Sequence, residues 1–151
     1  MARIVKKPGD VLKFPLTTGG LHGYAQWLPD STARVFLVAC DSELSVDQVL
    51  ELPVAFRVLV FNDTPNRYGW SKVGKAAVPA QCSRPMHYAK KDALTGKLSL
   101  YFRGIETPAT PDQLKDLETL AVWAHPHIVE RLEAQIQGRE SMFLNRLKVA
   151  V

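Results

Sequence analysis

The feature that most restricts the fold of this 151-residue chain is how often its apolar runs are interrupted. From residue 10 to residue 104 they are short, and each ends at a cluster of turn formers. "VLKFPL" stops at "TTGG", "GYAQWL" stops at "PDS", and "VAFRVLVFND" runs into "TPNRYG". Short aromatic and β-branched runs bounded by Gly, Pro, Asn and Asp read as strands, and brief connections call for antiparallel pairing. "ARVFLVAC" is almost continuously apolar, the pattern of a strand buried on both faces. "WSKVGKAAV" alternates loosely and reads as a further strand. "MHYAKK" and "LSLYFRG" flank "DALTG", where Gly96 suits the left-handed position of a hairpin turn. Six or seven strands are expected. One short helix interrupts them at "LSVDQVLEL": Ser45 caps it, Gln48 completes a capping box, and Pro53 stops it. The four turn formers in "NDTPNRYG" predict a loop.

Texture changes after residue 105. Thr110 is a good N-cap, Pro111 fits the first helical position, and Gln113 completes a second capping box. Leu114, Leu117, Leu120, Ala121 and Ala124 then repeat at helical spacing. Pro126 inside one continuous helix would remove a hydrogen bond and clash, costing about 3 kcal/mol. Two helices with a sharp kink near His125 are therefore expected, the second presenting Ile128, Leu132 and Ile136 and ending at Gly138. The tail, 139–151, is expected as a strand or a docked helix. Together these give one domain, 1–151, of the α+β class and mostly β. Its strands, 10–104, form a strongly curved antiparallel sheet or partial SH3-like barrel, covered by a kinked helix pair over 110–138.

Composition narrows the function. The longest apolar stretch, "LPVAFRVLVF", is broken by Arg57 and falls far short of the roughly 20 residues a bilayer needs. No apolar segment follows the basic "MARIVKK", so no secretory signal is visible and a cytoplasmic location is expected. Cys40 and Cys82 are expected as free thiols, and the chain has no Cys-x-x-Cys pair for a thiolate zinc site. The net charge of +4 is dispersed, with Lys6–Lys7 and Lys90–Lys91 the only adjacent basic pairs.

Several patterns of catalytic residue types can be weighed. Gly19, Gly20 and Gly23 crowd His22, but a phosphate cradle needs glycines that feed a helix N-terminus, and these lie between two strands. They are assigned to the turn. His125 and His127 stand two apart across a proline, the wrong spacing for a metal on one helical face. His22 and His87 would make an acid–base pair for RNA cleavage only if the fold joined them. Tyr68, Trp70, Tyr88, Tyr101 and Phe102, interleaved with Arg67, Lys72 and Arg103, would stack bases if exposed, and otherwise supply the core. Neither a Gly-x-Ser-x-Gly elbow nor a carboxylate dyad is present, so no catalytic residue, metal or cofactor is expected.

One family carries the same pieces in the same order. "PGDVLKFPL", then "GYAQWL", then "VFLVACDSELSVDQVLELPVAFRVLVFND" and "WSKVG", together spanning about residues 7 to 85, resemble the immunity protein 26 family, antidotes encoded beside bacterial polymorphic and contact-dependent toxins. The resemblance implies a mostly β domain that neutralises a cognate toxin C-terminal domain, one to one, in the cytoplasm, with no membrane or nucleic acid involved. It implies that Gly9, Asp10, Gly23, Tyr24 and Trp70 determine the fold as readily as they make contacts. It carries no catalytic residue. Because the chain is basic, either the toxin's contact surface is expected to be acidic or a local patch carries the binding. Tight binding draws on Arg, Tyr and Trp anchors, which selects Arg67 and Tyr68 in "NRYGW" and Arg84 and Tyr88 in "RPMHY" as toxin-binding residues. "KPGDVLKFPL" also looks like the first strand of small-barrel endoribonucleases, and a general RNA-binding module is the third possibility.

Overall fold

A computed structural model of the protein describes residues 3–147. The first half supplies β1 (Asp10–Pro15), β2 (His22–Leu28), β3 (Thr32–Phe36), α1 (Val46–Leu50), β4 (Val54–Val60), α2 (Thr64–Arg67) and β5 (Ser71–Lys75). The second supplies β6 (His87–Lys91), β7 (Leu98–Phe102), β8 (Ile105–Pro108), α3 (Pro111–Leu114), β9 (Glu118–Thr119), β10 (Val122–Trp123), α4 (His125–Gln137) and α5 (Met142–Leu147). A six-stranded sheet has the order β10-β4-β3-β2-β1-β5, and a four-stranded sheet the order β8-β7-β6-β9. The class is α+β and mostly sheet, as the strand spacing predicted. Two features of the expectation are corrected. The strands form two sheets with no closed barrel among the described residues, and both sheets are mixed, because β10 runs parallel to β4 and β9 parallel to β6. Short connections do impose antiparallel pairing through β8; the parallel partners arrive later, after long crossovers.

The large sheet is buried on both faces because its side chains alternate. Leu12 and Phe14 of β1, Ala25 and Trp27 of β2, Ala33 and Val35 of β3, and Phe56, Val58 and Val60 of β4 form one core with Ile128, Val129 and Leu132 of α4. Val11, Tyr24 and Phe36 point the other way and pack with Val49 of α1. Each large side chain removed from water in this way contributes about 1.5–3 kcal/mol before entropy is counted. Helix α1 carries the predicted capping box at both Ser45 and Gln48.

The five residues singled out by the family resemblance all lie inside this framework. Gly9 has φ +101°, and a Cβ there would sit 2.6 Å from the Ala76 carbonyl oxygen. Asp10 is buried; one oxygen accepts from the Lys7 amide at 2.8 Å and the other faces Lys72 Nζ at 3.1 Å. Gly23 belongs to β2 and not to the preceding turn, which corrects the grouping of the three glycines: a Cβ there would lie 2.5 Å from the Phe14 ring. The Tyr24 hydroxyl accepts from the Leu44 amide at 3.0 Å and donates to the Ser42 carbonyl at 3.2 Å. Trp70 stacks on Phe14 with ring centroids 4.6 Å apart and donates from Nε1 to His125 Nδ1 at 3.0 Å.

The helical half differs most from expectation. Thr110 and Gln113 form their capping box, but α3 ends at Leu114 and the kinked pair over 110–138 does not exist. Residues 118–119 and 122–123 are strands, and the helix-spaced leucines and alanines fall around them: Leu114 ends α3 and with Leu117 packs on Ala89, the Leu120 amide donates to the Ala89 carbonyl, and Ala124 caps α4. The open edges of β6 and β4 offer unpaired backbone groups, and pairing to them also buries Trp123; together these outweigh helix propensity. Pro126 then lies in the first turn of α4, where its missing N–H would be unpaired anyway, so no kink arises. The expected loop at "NDTPNRYG" contains α2, again opened by a proline in its first turn. Gly138 ends α4 with φ +70°. Of the tail, 142–147 is α5, while 148–151 lies outside the described residues.

Two predictions follow from this core. Gly9→Ala combines a left-handed backbone with a clash against a backbone oxygen, and is expected to lose about 3 kcal/mol or more in urea denaturation. His125 is stacked on Tyr68, and burial holds its pKa below the ordinary histidine value. The unfolded chain therefore takes up this proton first: the stabilisation is complete above about pH 6.5 and declines as pH falls from there through the lower folded-state pKa. An NMR titration of the imidazole should give a midpoint below 6.5, with denaturation midpoints falling over the same interval.

Candidate functional site: the cleft between the two sheets

Along the α1 face of the large sheet the side chains change from apolar to polar. One row of register partners runs Val11, Gln26, Arg34, Arg57 across β1, β2, β3 and β4. At this polar end the small sheet leans over the large one and leaves a cleft of about 400 Å³. Thr32, Arg57 and Leu59 form its floor, Tyr88 and Tyr101 one wall, and Pro85, Met86 and Leu120 the joints between the sheets. Asp30 stands at one lip, Arg103 and Gly104 at another.

The lips are two tight turns. Arg103 and Gly104, with φ +52° and +83°, join the partners Phe102 and Ile105, the pattern of a two-residue type I′ hairpin. Asp30 and Ser31 have φ +63° and +56° in the turn between β2 and β3. These are the three non-glycine left-handed residues among the described ones, all in the turns at the cleft. Each costs about 1–2 kcal/mol that glycine would avoid, a cost the surrounding structure offsets while Asp30 and Arg103 stand at the opening.

Arg57 is half-buried. Its Nε and Nη2 donate to Thr32 Oγ1 at 3.2 and 3.1 Å, and its Nη1 donates to the Arg84 carbonyl at 3.3 Å. The Thr32 hydroxyl donates onward to the Pro29 carbonyl at 2.9 Å. Arg34 donates from Nε to Gln26 Oε1 at 2.8 Å and lies 5.0 Å over the Phe36 ring; burial pulls its pKa down. Tyr88 and Tyr101 are direct register partners with ring centroids 6.3 Å apart. Burial pushes the Tyr88 phenol up to about 12, against the opposing pull of Arg57, and its hydroxyl meets Met86 Sδ at 3.4 Å. The cleft is thus neutral phenol and hydrocarbon around fixed positive charge, able to take a chain with an anionic end.

The four anchors expected from the sequence separate into two places. Tyr88 lines the cleft, and Arg84 stands exposed beside it, giving its carbonyl to Arg57. Arg67 is exposed at the end of α2 in a different hollow, with Arg3, Lys6 and Asp63, its guanidinium 5.8 Å from the Tyr68 ring. Tyr68 is half-buried against His125. The other candidates scatter. His22 is in β2 of the large sheet and His87 in β6 of the small one, stacked on Phe102 at 4.0 Å. His127 stacks on Phe143 at 3.7 Å. Trp70 is core, and the possible base-stacking set divides: Tyr88, Tyr101 and Arg103 share the cleft, while Arg67 and Tyr68 lie together at α2. Among the described residues no three His, Cys, Asp or Glu side chains converge on a metal position. Arg34, Arg57 and Thr32 were missed by the sequence reading. The signal was there as a single arginine inside each of two apolar strands, "ARVF" and "AFRV", but their register was not.

No known family model, curated protein or solved structure matches the chain.

The burial of Tyr88 is measurable. An ultraviolet titration should show one tyrosine ionising near pH 12, about two units above the ordinary phenol, and this phase should vanish in Tyr88→Phe.

Proposed function

We propose that this protein is an immunity protein, a binding protein and not an enzyme, that occludes a cognate toxin domain one to one in the cytoplasm of the cell that makes the toxin. The observation that carries this is how the family resemblance divides on the structure. Gly9, Asp10, Gly23, Tyr24 and Trp70, which hold the resemblance, are all used internally. What the scaffold presents is a cleft with two arginines, two tyrosines and Met86 on its lining, residue types enriched where partner proteins bind tightly. Exposed apolar side chains stand at the β4–β10 edge, with Phe61 48% and Val122 44% exposed. The cleft side of the molecule, with Arg84 and Tyr88, is the toxin-binding face; Arg67 and Tyr68 form a second patch around α2.

An antidote must act before a few toxin molecules do damage, so the affinity should be nanomolar or tighter, about −12 kcal/mol. The test is to co-express the protein with the C-terminal domain encoded by the adjacent upstream gene. Restored growth, co-purification and one-to-one calorimetric binding with nanomolar affinity are expected. Growth arrest despite co-expression, or RNA cleavage by the purified protein lost in His22→Ala or His87→Ala, would overturn the proposal.

A further inference from the structure

Arg57 lines the cleft, and Arg34, its register neighbour just outside the lining, sets a like charge beside it. Arg34 and Arg57 are direct partners across β3 and β4, so their side chains leave the same face of the sheet side by side. Opposed like charges in an antiparallel pair are destabilising. Among the described residues no carboxylate lies within ion-pair distance of either one. The same fold treats a third enclosed arginine quite differently: Arg131 grips both oxygens of Glu118, at 2.8 and 2.7 Å.

The partners that Arg34 and Arg57 do have are neutral, and they fix position without cancelling charge. Gln26 is fully buried, its amide nitrogen held by the carbonyls of Gly9 and Ala76 at 3.2 and 3.1 Å, so its oxygen is aimed at Arg34. Thr32 and the Arg84 carbonyl use three of the five N–H groups of Arg57. One N–H on each terminal nitrogen remains, the donor pattern that a carboxylate takes up with both oxygens.

We infer that Arg57, backed by Arg34, is the receptor for a carboxylate: an aspartate or glutamate of the toxin domain, carried on a segment with an apolar flank. The inference deepens the immunity proposal and rests on it. Charge selects an anion, because Arg57 and Arg103 outnumber Asp30 on the lining and Arg34 adds to them. The walls select a side chain over a nucleic-acid strand. Leu59, Met86 and Leu120 offer hydrocarbon to a flanking residue. Meanwhile Lys13, Lys72 and Lys90, basic residues elsewhere on the sheets, are already paired with Glu43, Asp10 and Glu106, which leaves the added positive charge local, at Arg84 beside the cleft.

The test has two arms. In the first, without toxin, Arg57→Gln and Arg57→Lys are melted at about 20 mM and about 500 mM salt, between which the screening length falls several-fold. Arg57→Gln should be at least as stable as the parent at low salt, and any advantage should shrink at high salt. A loss exceeding about 5 °C at both salts would make Arg57 a structural strut and overturn the inference. The Arg57 Nε–H signal should shift on adding an acetylated, amidated Glu-Phe-Glu-Leu peptide and not its Gln-Phe-Gln-Leu counterpart; a stronger shift with a uridine dodecamer would replace the protein partner by RNA. In the second arm, calorimetry with the toxin domain should show Arg57→Gln at least 100-fold weaker and Arg57→Lys intermediate. Nanomolar binding by the parent with equal binding by Arg57→Gln sinks the carboxylate receptor and leaves the immunity proposal standing. A parent that ignores the toxin domain sinks both.

Discussion

One buried amide ties the fold to the cleft. Gln26 lies in the middle of β2 with no exposure to water, where an unpaired amide would cost about 1–3 kcal/mol. Its two amide protons are shared among the carbonyls of Gly9, Ala76 and Ala77, and its oxygen accepts from Arg34. The residue before β1, the chain leaving β5 and Arg34, the register neighbour of Arg57, are therefore held by one side chain. Gly9 must lack a Cβ because the Ala76 carbonyl closes directly on it, and Gly9 also donates to Trp27 and accepts from Ala76. The demand for glycine before β1 is thus set by the Ala76 carbonyl, which also accepts from Gln26, seventeen residues along from Gly9.

A second constraint fixes how the two sheets meet. Residues 118–123 belong to both: Glu118 and Thr119 pair with β6, and Val122 and Trp123 pair with β4. Leu120 falls between them and lines the cleft. Arg131 of α4 locks this crossing, gripping Glu118 while lying 4.2 Å over the Phe56 ring and 5.0 Å from Trp123. A cleft between elements fixed in this way is built by the fold itself, so the binding proposed for it would have little ordering to oppose it.

The candidate site was only partly legible. Residue type and a turn position selected Arg84 and Tyr88; Arg84 is exposed in the turn before β6, whereas Tyr88 is a buried residue of β6 whose place on the cleft wall comes from its strand face. Arg67 and Tyr68 satisfied the same rule and sit elsewhere, since nothing local says which loop a second sheet will lean over. Arg34 and Arg57 broke the apolar texture of two strands, yet their meaning lies in being opposite each other. That is a register fact set by the turn after β2 and the loop carrying α1.

Local chemistry was decided by the sequence alone. The caps at Ser45 and Thr110, the left-handed Gly96 between β6 and β7 and the helix stop at Gly138 depend on contacts a few residues apart, and they appear where the residues dictate; the apolar run "ARVFLVAC", expected as one strand, is strand only to Phe36. Tertiary structure decided what lies at a sheet edge. The leucines and alanines after Leu114 repeat as a helix would, but the open edges of β6 and β4 took that segment as strand, and Pro126 became a first-turn residue instead of a kink. Helix propensity amounts to tenths of a kcal/mol per residue, whereas burying Trp123 and satisfying two edges amounts to several, so long-range contacts prevailed. The cleft exists because of that outcome: the same six residues that abandoned the helix hold the two sheets together around it.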